Sequence, residues 1–201
     1  MTRSRHFLAD DRASSAAEFA MVLPLLLILI FGLIDAGRFM WDYNRAEKAT
    51  QMGARFAAVA DPAVGGLANY SFSLSDGIPQ GNPVPTANFG SITCNNTACG
   101  SCTGSVCGSL TYNSAAFTNI ANRMIQIYPA ITAANVRVTY RNVGLGFAGD
   151  PDNSDVSPLI TVTLTGMQFR PITTRIFNAA FNMPAFSASV TGEDLSGTVS
   201  N

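Results

Sequence analysis

Residues 13–35 read ASSAAEFAMVLPLLLILIFGLID. From Phe19 to Ile34 the run is apolar, interrupted only by Pro24 and Gly32, and it opens directly behind an acid, Glu18. As a helix at 1.5 Å per residue, Phe19 to Ile34 covers about 24 Å. Extension into the aromatic cluster Phe39, Trp41 and Tyr43 brings it to about the 30 Å of a hydrocarbon core. Trp41 is the single tryptophan of the chain, and such aromatics favour the membrane–water boundary. The run holds twelve Leu, Ile, Phe and Val residues. At −0.3 to −0.6 kcal/mol each they contribute about −4 to −7 kcal/mol toward insertion, against about 2.5 to 3.5 kcal/mol for one acid at the midplane. The balance selects a transmembrane helix. Pro24 costs little near a helix start, or where neighbouring helices help to satisfy the backbone.

Orientation rests on two features. Arg3, Arg5 and Arg12 precede the span, which points to a cytoplasmic N-terminus, but Arg38, Arg45, Lys48 and Arg55 follow it, so charge counting alone does not decide. All four cysteines, Cys94, Cys99, Cys102 and Cys107, lie after the span. If paired, they place that part of the chain in an oxidising compartment. A cleaved secretory signal competes with an anchor. Yet no small-x-small site follows the apolar run closely, and the nearest, around Ala58 and Ala60, lies far downstream.

The chain has 201 residues, a net charge of −1 and only 12% charged residues. That length accommodates one anchor and one modest domain. A basic surface for nucleic acid is absent. Between Phe56 and Asn122 the only charges are Asp61 and Asp76, in a stretch rich in Gly, Ser, Asn, Thr and Ala. Such a weakly charged surface suits an extracytoplasmic protein or a packed assembly.

The organisation reads as α+β. Residues 1–13 form a basic leader. Residues 14–61 form one long helix, a transmembrane part continuing into an amphipathic part. Beyond the membrane, Phe39, Tyr43, Ala46, Ala49, Met52, Phe56 and Val59 recur at helical spacing, while Asp35, Arg38, Asp42 and Arg45 form a charge ladder read as a solvated face. Asp61-Pro62 ends the helix. Residues 62–112 are loop-rich and contain the cysteines, with short strands expected near Tyr70–Leu74 and Ser109–Tyr112. Residues 113–201 form an α+β extracytoplasmic domain. In it, Asn113 or Ser114 caps an amphipathic helix from Ser114 to Tyr128. Strands through Val136, Val138, Tyr140 and through Ile160, Val162, Leu164 pair as an antiparallel hairpin, and a third passes through Phe186, Ala188 and Val190. Thr173–Asn182 reads as a short helix, either packed on the core or lying on the membrane or a partner. The expected fold is thus a small antiparallel sheet with one or two packed helices behind a long N-terminal helix.

Candidate chemistry is sparse. The single histidine, His6, is in the leader, which excludes Ser-His or Cys-His catalysis from the domain. A phosphate-binding Gly-rich loop with Lys-Ser/Thr is missing. Adjacent Glu193 and Asp194 read as a solvated end. No catalytic residue and no cofactor are assigned. The cysteines follow C-x4-C-x2-C-x4-C, which permits three disulfide connectivities. Zinc is the alternative, but only Cys99 and Cys102 form a C-x2-C pair and no domain histidine completes a set, so no metal is assigned. Asp150, Asp152, Asn153 and Asp155 place oxygen ligands together as calcium would require, yet lack EF-hand spacing and read as a turn. Glu18 has two readings. It is a surface acid favoured by the helix dipole. Alternatively, if the chain is cut between Ala13 and Ser14, a new α-amine about 6 Å away along the axis neutralises it.

Glu18-Phe19, Leu23-Pro24 and Phe31-Gly32-Leu33-Ile34-Asp35, followed by the amphipathic helix, resemble the TadE/TadG-like family, the pseudopilins or minor pilins of tight adherence (Tad/Flp) pilus systems. The specific similarity spans about residues 12–55. The resemblance implies a type IV pilus-related structural protein of the inner membrane. It would be single-pass, with a cytoplasmic N-terminus and a C-terminal domain that is periplasmic or exposed on the pilus. Implied partners are other pilus or pseudopilin subunits, the inner-membrane assembly platform, a prepilin peptidase and membrane lipid, with no nucleic acid. Ala13 and Ser14 would flank the processing site, and Glu18 with Phe19 would set helix register. Position 13 is alanine where type IV prepilin peptidases usually cut after glycine. The alternative function is a membrane-anchored extracytoplasmic module that binds a ligand or protein through residues 62–112. A third reading is a secreted enzyme released by signal cleavage.

Overall fold

The computed structural model describes residues 11–151, 154–174, 180–192 and 195. A single helix, α1 (Asp11–Val59), opens the chain. It is followed by β1 (Val64–Gly65), α2 (Phe72–Ser75), β2 (Ser91–Cys94), β3 (Cys99–Thr103), β4 (Thr111–Tyr112), α3 (Ser114–Ile127), β5 (Val136–Arg141), β6 (Leu159–Leu164), β7 (Gln168–Phe169), β8 (Phe181–Asn182) and β9 (Phe186–Thr191). The chain is α+β and divides into two compact units. One holds α1 through Trp41 together with Gln168–Phe181; the other holds Asp42–Met167 and the chain from Asn182 onward.

The larger unit is built on a five-stranded antiparallel sheet in the order β3-β2-β5-β6-β9. Its centre is the hairpin expected from sequence: Val136 faces Leu164, Val138 faces Val162 and Tyr140 faces Ile160. All six are fully buried, because a period of two puts them on one face. Strand β9 pairs with β6, Phe186 opposite Leu164.

Helix α3 starts where the Asn113 side chain accepts a hydrogen bond from the Ala116 N–H at 3.1 Å, and it buries Phe117, Ile120, Ala121 and Met124. The second half of α1 meets both layers through small residues. Ala46, Ala49, Ala54 and Ala57 are fully buried. A Cβ on Gly53 would fall 2.7 Å from Met124 Cγ and 3.5 Å from Val162 Cγ1. Just past the helix, the Ala63 N–H donates to the buried Tyr140 hydroxyl at 2.9 Å.

Three expectations change. Residues 62–112, read as loop-rich, supply two strands of the main sheet. Ser91-Ile92-Thr93-Cys94 alternates half-buried and buried, but four residues between Gly90 and Asn95 are too few for a readable period; pairing of β2 with β5 makes the strand. The strand expected over Tyr70–Leu74 is instead the helical turn α2, whose first N–H, from Phe72, donates to Asp155 Oδ2 at 2.7 Å. That distant carboxylate satisfies a helix-end donor and overrides local propensity. The expected strand end near Tyr112 is present as β4, paired with β1. The helix expected over Thr173–Asn182 is contradicted at its end, where Phe181–Asn182 form strand β8; residues 175–179 of it lie outside the described residues.

Candidate functional site

Every described side chain from Ser15 to Ile34 is exposed. Leu25 and Leu29 are each 70% exposed and Leu33 is 77% exposed. Soluble surfaces rarely carry an apolar area so large and continuous. Ser15–Val59 is the one helix, among the described residues, long and apolar enough to cross a membrane. Glu18 and Phe19 are exposed at the leading edge of this stretch. Ala13 and Ser14 lie within the first turns of α1.

The apolar run stops at a site not foreseen in the sequence. Asp35 was expected on a solvated charge ladder, yet it is only 6% exposed. Its Oδ1 accepts the Ile172 N–H at 2.7 Å, and its Oδ2 accepts the Thr173 N–H at 2.9 Å and the Thr173 hydroxyl at 2.8 Å. The Arg38 guanidinium donates to Oδ1 at 3.3 Å and sits 5.6 Å from the centroid of the Phe169 ring. Phe169 meets Phe39 edge to face at 5.4 Å. A carboxylate with this many donors is satisfied in its buried setting, and hydrogen bonds to charged groups are the stronger class. The donors lie 137 and 138 residues away in sequence, so no local pattern announces them.

Further along the ladder, Arg45 also turns away from the helix surface. Its Nε and Nη2 donate to the Ile127 carbonyl at 3.2 and 2.8 Å, capping the end of α3 where a cation is favoured. The guanidinium stacks 5.3 Å from the Tyr128 ring centroid. Burial, and then the charge of Asp42, push the Tyr128 phenol above its ordinary range.

The cysteines resolve into Cys94–Cys99 and Cys102–Cys107. Both bridges are local to the β2–β3 hairpin and the turn after it. Among the described residues no group of His, Cys, Asp or Glu is arranged to hold a metal. In the acidic loop, Asp155 is buried and its Oδ1 takes the N–H groups of Gly149 and Asp150 at 2.9 and 3.2 Å. With Phe72 on Oδ2, this carboxylate organises a loop. Asp152 and Asn153, like Glu193 and Asp194, are outside the described residues. Beside it lies a cavity of about 430 Å³, lined by polar groups that include Tyr70, Ser73, Gln80 and Asp150.

Glu18, Asp35 and the apolar residues between them fall within one recognisable segment. Residues 13–55 match the TadE-like protein family. The TadE-like segment takes in the exposed run, Asp35 and its Arg38 partner, and the first part of the buried alanine face. The sheet, the disulfides and the cavity lie beyond it. No curated protein and no solved structure matches the chain.

Proposed function

We propose that this chain is a minor pilin or pseudopilin that acts structurally in assembly of a Tad/Flp-type pilus. The observation that carries the reading is the exposed apolar run Phe19–Ile34, with Glu18 at its edge, inside the TadE-like segment 13–55. In this proposal the first half of α1 crosses the inner membrane with its N-terminus in the cytoplasm. The disulfide-bonded sheet unit lies outside. Long helices of several subunits pack side by side, and Glu18 sets their register through an amine or another polar partner, since a carboxylate in lipid needs one. A prepilin peptidase cuts between Ala13 and Ser14, which supplies such an amine. The role is non-enzymatic.

Two measurements test this. N-terminal sequencing and intact mass of the mature protein should show loss of residues 1–13. Glu18→Ala should insert normally but reduce assembled pili by tenfold or more, taking about 1.4 kcal/mol as the smallest loss from an unpaired register contact. Normal piliation in that variant defeats the register role. A product lacking Leu23–Ile34 defeats the anchor.

The polar cavity beside Asp155 supports a second reading, a tethered module that binds a small polar ligand or a protein. Capture of a surface ligand, in place of pilus subunits, by the crosslinked full-length protein would favour it.

A further inference from the structure

We infer that residues 170–174 form a second membrane contact, a foot that rests in the lipid headgroup region and sets how deeply α1 inserts. The inference rests on α1 crossing the bilayer, as proposed above. Its basis is where Asp35 stands. It is the first charged residue after the apolar run, and three of its four hydrogen bonds come from Ile172 and Thr173. If the run leaves the hydrocarbon at Asp35, those backbone groups stand at the exit.

The side chains at that level suit an interface between water and lipid. Ile172 is 42% exposed, next to a buried Pro171 that limits the local backbone. Arg170 is exposed, and the Arg38 side chain is 46% exposed despite its bond to Asp35. Trp41 is 66% exposed, six residues or about 9 Å farther along the helix. An aliphatic tip with two arginines at its level and an indole farther along the helix is the composition of an interfacial anchor: the apolar part enters the headgroup–acyl boundary while the guanidiniums stay with the phosphates. Arginines near the surface favour anionic lipid.

The foot has a consequence for Glu18. With the hydrocarbon boundary at Asp35, Glu18 lies seventeen residues back, about 25 Å along an untilted helix. That is about 5 Å short of the far boundary of a 30 Å core. The loop therefore holds Glu18 just inside the hydrocarbon, where a polar partner on a neighbouring helix matters most.

The test places one tryptophan at a time in the full-length protein, in vesicles of phosphatidylcholine and phosphatidylglycerol, with Trp41 replaced by Phe. Ile172→Trp should emit at a blue-shifted wavelength and be quenched most by lipids brominated close to the carbonyl. It should be quenched less by lipids brominated near the chain end. Adding Asp35→Asn should abolish the quenching, and omitting phosphatidylglycerol should weaken it. Leu27→Trp reads the anchor separately and should be quenched most by the deep bromines. Quenching at position 27 without quenching at 172 overturns the foot and leaves the anchor intact; loss at both defeats the anchor itself. A blue shift at 172 without bromine quenching also overturns the inference, because protein and not lipid then covers Ile172. If Asp35→Asn disturbs folding, amide exchange in the unsubstituted protein decides: the Ile172 and Thr173 amides should exchange more slowly in vesicles than in detergent, and equal rates count against the foot.

Discussion

Helix α1 carries its largest side chains where no described residue covers them and its smallest where packing is closest. Leu25, Leu29 and Leu33 stand exposed in the first half, while Ala46, Ala49, Ala54 and Ala57 are sealed in the second. Hydrophobicity alone does not say which half of the helix belongs to a protein core. Alanine and glycine let a helix come within contact distance of Met124 and Val162, and dense packing gains dispersion contacts there. Long branched side chains with no described residue packed on them are suited to a fluid apolar solvent, which makes contact without being shaped to fit.

Substitutions can break this contrast. The largest effect is expected from Leu29→Arg, which should raise the cost of insertion by about 3 to 4 kcal/mol. The protein should shift out of the membrane fraction while the thermal unfolding of the sheet unit stays unchanged. Gly53→Val attacks the other half. The added atoms meet Met124 Cγ at 2.7 Å, and overpacking of this kind costs about 1 to 3 kcal/mol, read as a lower denaturation midpoint with membrane insertion intact.

Tyr140→Phe should cost about 1 to 2 kcal/mol by leaving the Ala63 N–H without its acceptor. It also has a pH signature. Burial pushes the Tyr140 phenol above its ordinary range, so its stabilising effect is complete below the unfolded value near pH 10 and is lost as pH rises toward the folded value. The substitution should flatten alkaline unfolding measured by circular dichroism. Smallest of all, Leu29→Ala should change insertion by less than about 1 kcal/mol and leave domain stability where it was. A marked drop in domain stability would mean that Leu29 packs on protein.

Much of the frame was legible. Strict periodicity marks β5, β6 and β9, and a 3.6-residue stripe with an Asn cap marks α3, because these signals are local. The candidate site was half legible. Glu18 stands out because an acid beside a sixteen-residue run broken only by Pro24 and Gly32 is anomalous wherever it is read. Asp35 looks like one rung of a surface ladder, since nothing nearby in sequence reveals that Ile172 and Thr173 aim their N–H groups at it. Strand β2 and the turn α2 were missed for a related reason: each is stabilised by a partner far along the chain, β5 in one case and Asp155 in the other.

Composition and spacing by themselves determined that this chain has an apolar helix of membrane length, an α+β domain behind it and no histidine with which to do acid–base chemistry there. Those are properties of short windows and of simple counting. Tertiary structure alone decided which cysteines pair, that residues 91–103 join the sheet and that Asp35 is buried. Each of these depends on bringing together groups whose positions are set by the fold, and a carboxylate's choice between water and two distant amides is made only once the chain has closed around it.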